Sequence, residues 1–256
     1  MAAEKPTHLE PSKLGTREYW ESLYTTEITN HASNPQDEGT IWFDDSDAQS
    51  KIFEYLTEDL CLPTETTSIL DLGSGNGSLL FLLRSGGFTG PLLGVDYSSR
   101  SIELSQQIAL TRQAEADENQ DEDDKVDYLT NLEFKEWDAL NGDISQVSRP
   151  NGGYDLILDK GTFDAVSLSD ELDAKGRRIN EGYGERVLQL LKMGGYFLVT
   201  SCNWTEIELQ KWFEGAEGVK GNRLKMVGRI EYPSFSFGGV KGQTISTLCF
   251  EKVVAV

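Results

Sequence analysis

Nine residues constrain this chain more than any others: Ile69-Leu70-Asp71-Leu72-Gly73-Ser74-Gly75-Asn76-Gly77. An apolar run ends in three glycines at alternate positions, and an apolar helical segment, residues 78–84, follows directly. Glycine tolerates positive φ and lets another group approach the backbone closely, so the segment reads as a buried strand running through a tight turn into a helix. The alternation continues downstream. Strands are expected at 67–72, 91–97, 132–137, 154–159, 196–201, 223–231 and 243–253. Helices are expected at 78–84, from Ser98 to about Ala114, ending over 185–192, and at 205–213, with Gly194-Gly195 as a turn before the fifth strand. Repeated β-α units imply an α/β fold: a seven-stranded, mainly parallel sheet with helices on both faces and an antiparallel last strand paired with the sixth. Ligands in such sheets bind beyond the carboxyl ends of the strands, where strand order reverses.

The glycine spacing narrows the ligand. Dinucleotide-binding turns carry G-x-G-x-x-G, whereas here Gly73, Gly75 and Gly77 alternate and Ser78 stands at the place of the third dinucleotide glycine. Asp71, two residues before the first glycine, is expected to point toward the site, where it repels a pyrophosphate and suits a cation such as the amino acid end and sulfonium of S-adenosylmethionine. A nicotinamide-dependent oxidoreductase is disfavoured on both counts. Gly94-Val95-Asp96-Tyr97 ends the second strand with a carboxylate that can accept both ribose hydroxyls, a feature shared with NAD-binding folds. Trp137-Asp138-Ala139 follows the third strand, within reach of an adenine amino group. Tyr154-Asp155-Leu156-Ile157-Leu158-Asp159-Lys160-Gly161-Thr162 closes the set. Its Asp159 is expected to project into the mouth of the site and orient an incoming amine, with Lys160 as an ion-pair partner and Asp164 a weaker candidate.

Charge and composition limit the partners. The chain has 256 residues, 23 basic and 43 acidic, a net charge of −20. Such a surface repels phosphate backbones and favours basic partners, so a nucleic-acid substrate is not expected. No apolar stretch reaches the roughly 20 residues that span a bilayer. Cys61, Cys202 and Cys249 form no C-x-x-C pair and only two histidines accompany them, so no metal site is expected and a reducing, cytoplasmic setting is. Residues 115–127 are rich in Asp and Glu and read as a mobile, solvated loop. A monomer is the default.

Before the α/β pattern, residues 1–12 are polar and 29–40 read as a loop, with Tyr19, Trp20 and Tyr24 on a short helix between them. Those aromatics can anchor the helix on the sheet. Together, the motifs resemble the seven-β-strand, Rossmann-like S-adenosylmethionine-dependent methyltransferases. Lys13-Leu14-Gly15-Thr16-Arg17-Glu18-Tyr19-Trp20, Trp42-Phe43, Asp159-Lys160-Gly161-Thr162 and Ser234-Phe235-Ser236-Phe237-Gly238 resemble, more narrowly, the eukaryotic and especially fungal lysine methyltransferases of translation elongation factor 1-alpha. The resemblance implies an N-terminal extension and lid over residues 1–43 and a catalytic domain over 44–256. It implies a donor site of Trp20, Asp71, Gly73, Gly75, Gly77, Asp96, Tyr97, Asp138, Ala139 and Asp159. It also implies a lysine channel lined by Trp42, Phe235 and Phe237, although Phe235 and Phe237 also suit hairpin packing. A small-molecule methyltransferase and a non-catalytic donor-binding scaffold are the alternatives.

Overall fold

The structure, a computed structural model, describes residues 5–118, 126–149, 152–214, 221–237 and 240–255, with the backbone alone over 234–237 and 240–243. Its strands are β1 (Ile69–Leu72), β2 (Leu92–Asp96), β3 (Leu132–Glu136), β4 (Tyr154–Lys160), β5 (Leu191–Ser201), β6 (Asn222–Ile230), β7 (Ser234–Phe237), β8 (Val240–Gln243) and β9 (Ser246–Val254). Its α-helices are α1 (Arg17–Ser33), α2 (Ala48–Glu54), α3 (Ser78–Ser85), α4 (Ser99–Glu118), α5 (Thr162–Ser167), α6 (Tyr183–Leu190) and α7 (Glu206–Phe213). Seven strands form one sheet in the order β3-β2-β1-β4-β5-β9-β6. β1 through β5 run parallel, and β9 lies antiparallel between β5 and β6. The order reverses between β1 and β4, which opens a crevice at their carboxyl ends. Among the described residues no helix is long and apolar enough to cross a membrane.

Both faces of the sheet are buried, and the period of two along each strand sorts the core into two layers. Ile69, Leu156, Leu158 and Leu198 pack with Ile52 of α2, Leu79 and Leu80 of α3 and Ile108 of α4. Leu70, Leu72, Ile157, Phe197 and Val199 pack on the other face with Phe163 of α5, Val187 of α6 and Leu209 and Phe213 of α7. α7 starts with a capping box, in which Thr205 and Glu208 each satisfy the other's backbone N–H.

Four expectations are corrected. α1 runs on to Ser33, through the first residues read as a loop. α4 continues to Glu118, four residues into the acidic run; residues 119–125 lie outside the described residues. Gly194-Gly195 sits inside β5 rather than before it, at an irregular register against Tyr154 and Leu156 of β4. Residues 234–237 and 240–243 form a separate two-stranded ribbon, β7 paired with β8, between the sixth and last strands of the sheet. The N-terminal segment is also packed: Ser12 N–H donates to Leu168 O at 3.0 Å, and His8 lies against Trp212 with ring centroids 5.6 Å apart.

Candidate active site

The carboxyl ends of β1, β2, β3 and β4 border a cavity of about 330 Å³. Its floor is the glycine turn after β1. Gly73 and Gly75 line it with φ of 65° and 57°, a left-handed conformation that costs a side chain about 1–2 kcal/mol. A Cβ on Gly73 would lie 2.1 Å from Thr162 Oγ1, so the turn is closed against the β4 loop with no room to spare. Ser74 lines the cavity between the two glycines, and its Oγ is buried with no hydrogen-bond partner among the described residues.

Asp96 ends β2 at the cavity wall. Its carboxylate accepts the N–H groups of Gly75 at 3.2 Å and Ser98 at 2.9 Å, which fixes its orientation. Burial raises its pKa to about 6, against the pull of those two N–H bonds. Tyr97 follows it, with the Arg17 guanidinium 5.7 Å from its ring centroid. On the third strand's loop Asp138 accepts the N–H groups of Leu140 at 2.8 Å and Asn141 at 3.1 Å, and Ala139 adds apolar wall. Trp20 and Trp42 close the top, their ring centroids 5.4 Å apart, and Trp20 Nε1 donates to Leu14 O at 2.8 Å. The structure thus brings Trp20, Trp42, Gly73, Gly75, Asp96, Tyr97, Asp138 and Ala139 around one cavity.

Other expected site residues lie elsewhere. Gly77 faces the core: a Cβ there would meet the Phe134 ring at 2.6 Å, so its glycine is required for packing. Asp71 is buried and outside the cavity lining. It shares a sheet face with Lys160, and the Lys160 charge opposes the rise that burial imposes on its carboxyl. Asp159 is the main correction. Its carboxylate turns away from the cavity, accepts the N–H groups of Thr162 at 2.9 Å and Phe163 at 3.1 Å, and takes the Tyr183 hydroxyl at 2.6 Å. Those bonds cap the first turn of α5 and tie it to α6. Burial raises its pKa to about 7 even so. The side chains of Phe235 and Phe237, expected in a channel, lie outside the described residues.

Two lining residues were given only lesser parts by the sequence, Lys160 as an ion-pair partner and Asp164 as a weaker candidate, and Gly15 was given none. Lys160, adjacent to Asp159, faces the cavity and donates to Trp42 O at 3.1 Å. Asp164 lines it too, held by Ser201 Oγ and, at 2.8 Å, by Cys202 N–H. Gly15 belongs to the lining because the segment before α1 crosses the end of α5, where a Cβ would meet the Leu168 backbone at 2.3 Å. An isolated glycine gave no signal of that contact.

A donor of S-adenosylmethionine type fits these residues. The glycine cradle has no room for side chains, and Asp96 offers a carboxylate at the adjacent strand end. A family profile described as a methyltransferase domain matches residues 63–239. The chain is 40% identical to the protein-lysine N-methyltransferase EFM4 of Saccharomyces cerevisiae, over 95% of this chain and 96% of that protein. It is 37% identical to efm4 of Schizosaccharomyces pombe, over 95% of each. It is 33% identical to the human EEF1A lysine methyltransferase 2, over 95% of this chain and 88% of that protein. Among solved structures, magnesium protoporphyrin IX methyltransferase (ChlM) from Synechocystis PCC 6803 with bound S-adenosylmethionine shares the fold, with a TM-score of 0.50, 14% identity and coverage of 91% of this chain and 97% of that one. Sheet order, glycine cradle and full-length likeness agree: the chain belongs to the S-adenosylmethionine-dependent methyltransferases, in the group of protein-lysine N-methyltransferases that holds EFM4 and EEF1A lysine methyltransferase 2.

Proposed function

We propose that this protein moves a methyl group from S-adenosylmethionine to a lysine ε-amine of translation elongation factor 1-alpha, as a monomer in the cytoplasm. The observation that carries the reading is the likeness over 95% of the chain to EFM4 and to EEF1A lysine methyltransferase 2, whose name gives the acceptor. The three free cysteines suit a reducing compartment.

In this reading Gly73, Ser74 and Gly75 hold the amino acid end of the donor, Asp96 its ribose, and Asp138 with Ala139 its adenine. Trp20 and Tyr97 cover it. When bound, the donor supplies an electrophilic methyl on a sulfonium whose leaving thioether is neutral. The protein's task is therefore positioning and exclusion of water. Trp20 and Trp42 exclude water from above. Asp44 and Asp45, exposed beside Phe43, and Glu171 in the cavity lining put carboxylates where a basic protein presents its lysine. Asp71 is a support for Lys160 in this scheme rather than a direct donor contact.

The test is transfer of labelled methyl to purified, unmodified elongation factor 1-alpha, with Asp96→Ala as control. Label on a lysine, and a donor affinity reduced roughly 10- to 100-fold in the variant as expected for a lost charge-assisted pair, support the reading. Unlabelled factor despite measured donor binding removes this acceptor. A second expectation follows from the rim. Reversing Asp44, Asp45 and Glu171 together to lysine raises the acceptor KM and flattens its salt dependence, because rim charges steer encounter. An unchanged salt dependence would assign acceptor attraction to another surface.

A further inference from the structure

Residues 34–43, between α1 and the short turn Asp44–Ser46, carry no regular structure. Their backbone groups are nevertheless taken by four side chains from three other places. His31 Nδ1 pairs with Asp37 O at 2.9 Å, Asn76 Nδ2 donates to Glu38 O at 2.8 Å, and Glu27 Oε1 accepts Thr40 N–H at 2.9 Å. Lys160 Nζ donates to Trp42 O at 3.1 Å. Arg112 adds a two-bond grip on the Glu38 carboxylate, both at 2.6 Å. A loop whose polar groups are satisfied by fixed partners is a rigid strap.

Two of these anchors have a particular location. Asn76 is part of the glycine turn after β1, and Lys160 is the last residue of β4, the strand paired with β1. The strap is thus pinned to the two loops that form the donor cradle. What it carries is the opposite wall: Thr40, Trp42 and Phe43 line the cavity. Phe43 takes φ of 63° and Asp47 52°, conformations that persist only where surroundings hold them. Phe43 also packs on Gly161, where a Cβ would sit 3.3 Å from its ring. Lys160 is suited to its anchor: the carboxylates of Asp71, Asp159 and Asp44 act on its ammonium and offset the burial that lowers its pKa.

We propose that Asn76 and Lys160 are positioning residues that register the acceptor wall, Trp42 and Phe43, against the donor cradle. They act through the strap, so their loss displaces the acceptor more than the donor. The inference rests on the methyltransferase reading for its kinetic arm, while its structural arm does not depend on which acceptor is used.

The experiment uses the full chain with Asn76→Ala, Lys160→Met and Lys160→Arg. Backbone hydrogen exchange over 38–43 is expected to rise in Asn76→Ala and Lys160→Met while exchange in β1 and α1 stays at the wild-type level. Calorimetric donor affinity should change little, whereas kcat falls on the order of tenfold or more and acceptor KM rises, as for a misplaced reactant. Lys160→Arg, which keeps a donor for the Trp42 carbonyl, should recover protection and most of the rate. Wild-type exchange over 38–43 in a slow variant would overturn the proposal and put the lost group at the reacting atoms. Donor affinity falling in step with kcat would also overturn it, by placing both residues in the donor site. If Lys160→Met does not fold, Asn76→Ala alone carries the donor-loss comparison.

Discussion

Gly73→Ala is expected to lower donor affinity about 100-fold or more, as for a site misplaced by an ångström. The left-handed φ of 65° costs alanine about 1–2 kcal/mol, which alone does not reach that effect. The larger part is steric. The new Cβ would stand 2.1 Å from Thr162 Oγ1, 2.8 Å from its Cγ2 and 3.0 Å from its Cβ. Thr162 cannot rotate away freely, because Oγ1 donates to Leu72 O at 2.6 Å. Either that bond breaks or the β1 turn and the β4 loop separate, and both loops belong to the cradle. Gly87→Ala supplies the control: it has φ of 96° but nothing within 4 Å of a Cβ. It should cost about 1–2 kcal/mol of stability and leave donor binding intact. Calorimetry on the pair separates the two effects, and wild-type affinity in Gly73→Ala would refute the cradle assignment.

Asp159→Ala is expected to destabilise the fold by about 3–5 kcal/mol, the cost of removing one member of a buried polar cluster. It strands the N–H groups of Thr162 and Phe163 and the Tyr183 hydroxyl, and it deprives buried Lys160 of one compensating carboxylate. Urea denaturation at neutral pH measures the loss, and a cost below about 1 kcal/mol, the range of an exposed pair, would show the cluster to be dispensable. Asp159→Asn isolates the charge. Burial holds the Asp159 carboxyl at about 7 in the folded protein, above its usual value of 3.8. Between those values the folded state keeps a proton that the unfolded chain releases, so this group's contribution to stability falls as pH rises from about 4 to 7. The wild type should therefore lose stability relative to Asp159→Asn across that window, and a difference that is flat or reversed would contradict the assigned environment.

Asp159 and Lys160 also show where sequence reading reached its limit. The strand, its end and its place beside β1 follow from apolar residues running into Gly161. Which of two neighbours faces the cavity depends on strand parity. Ile157 points to the layer holding Phe163 and Tyr183, and Asp159 follows it; Leu156 and Leu158 point to the other layer, and Lys160 follows them. Because β4 is buried on both faces, its sequence has no polar alternation to mark either side. Asp71 and Gly77 lie outside the cavity lining for a related reason: the motif identifies a turn, but a Cβ on Gly77 would meet the Phe134 ring, and Asp71 lies on the sheet face it shares with Lys160. By contrast Asp96 and Asp138 end or follow strands at the open edge of the crevice, where a polar side chain has one place to go.

The full length of α1 was hidden because its inner face is mostly polar. Its buried residues are Tyr24, Glu27 and His31, and two of the three hold the strap rather than apolar core, so no apolar period exists to be read. The strap itself depends on partners up to 118 residues away, beyond any local pattern.

The position of β9 bears on how the chain acquires its shape as it is made. Six strands of the large sheet precede β9 in the chain, yet it lies between two of them, with six register pairs to β5 and eight to β6. Until it is synthesised, β5 has a bare edge and β6 has no neighbour in the sheet. The parallel half, β1 through β5 with its crossover helices, contains every strand that borders the donor cavity and can assemble first, while residues 222–245 must wait outside. During that interval one edge of β5 and both edges of β6 are unpaired, the condition under which nascent chains pair with the wrong partner. Arg223, Lys225 and Arg229, exposed along β6, place positive charge on the strand that waits longest and discourage it from joining another copy of itself.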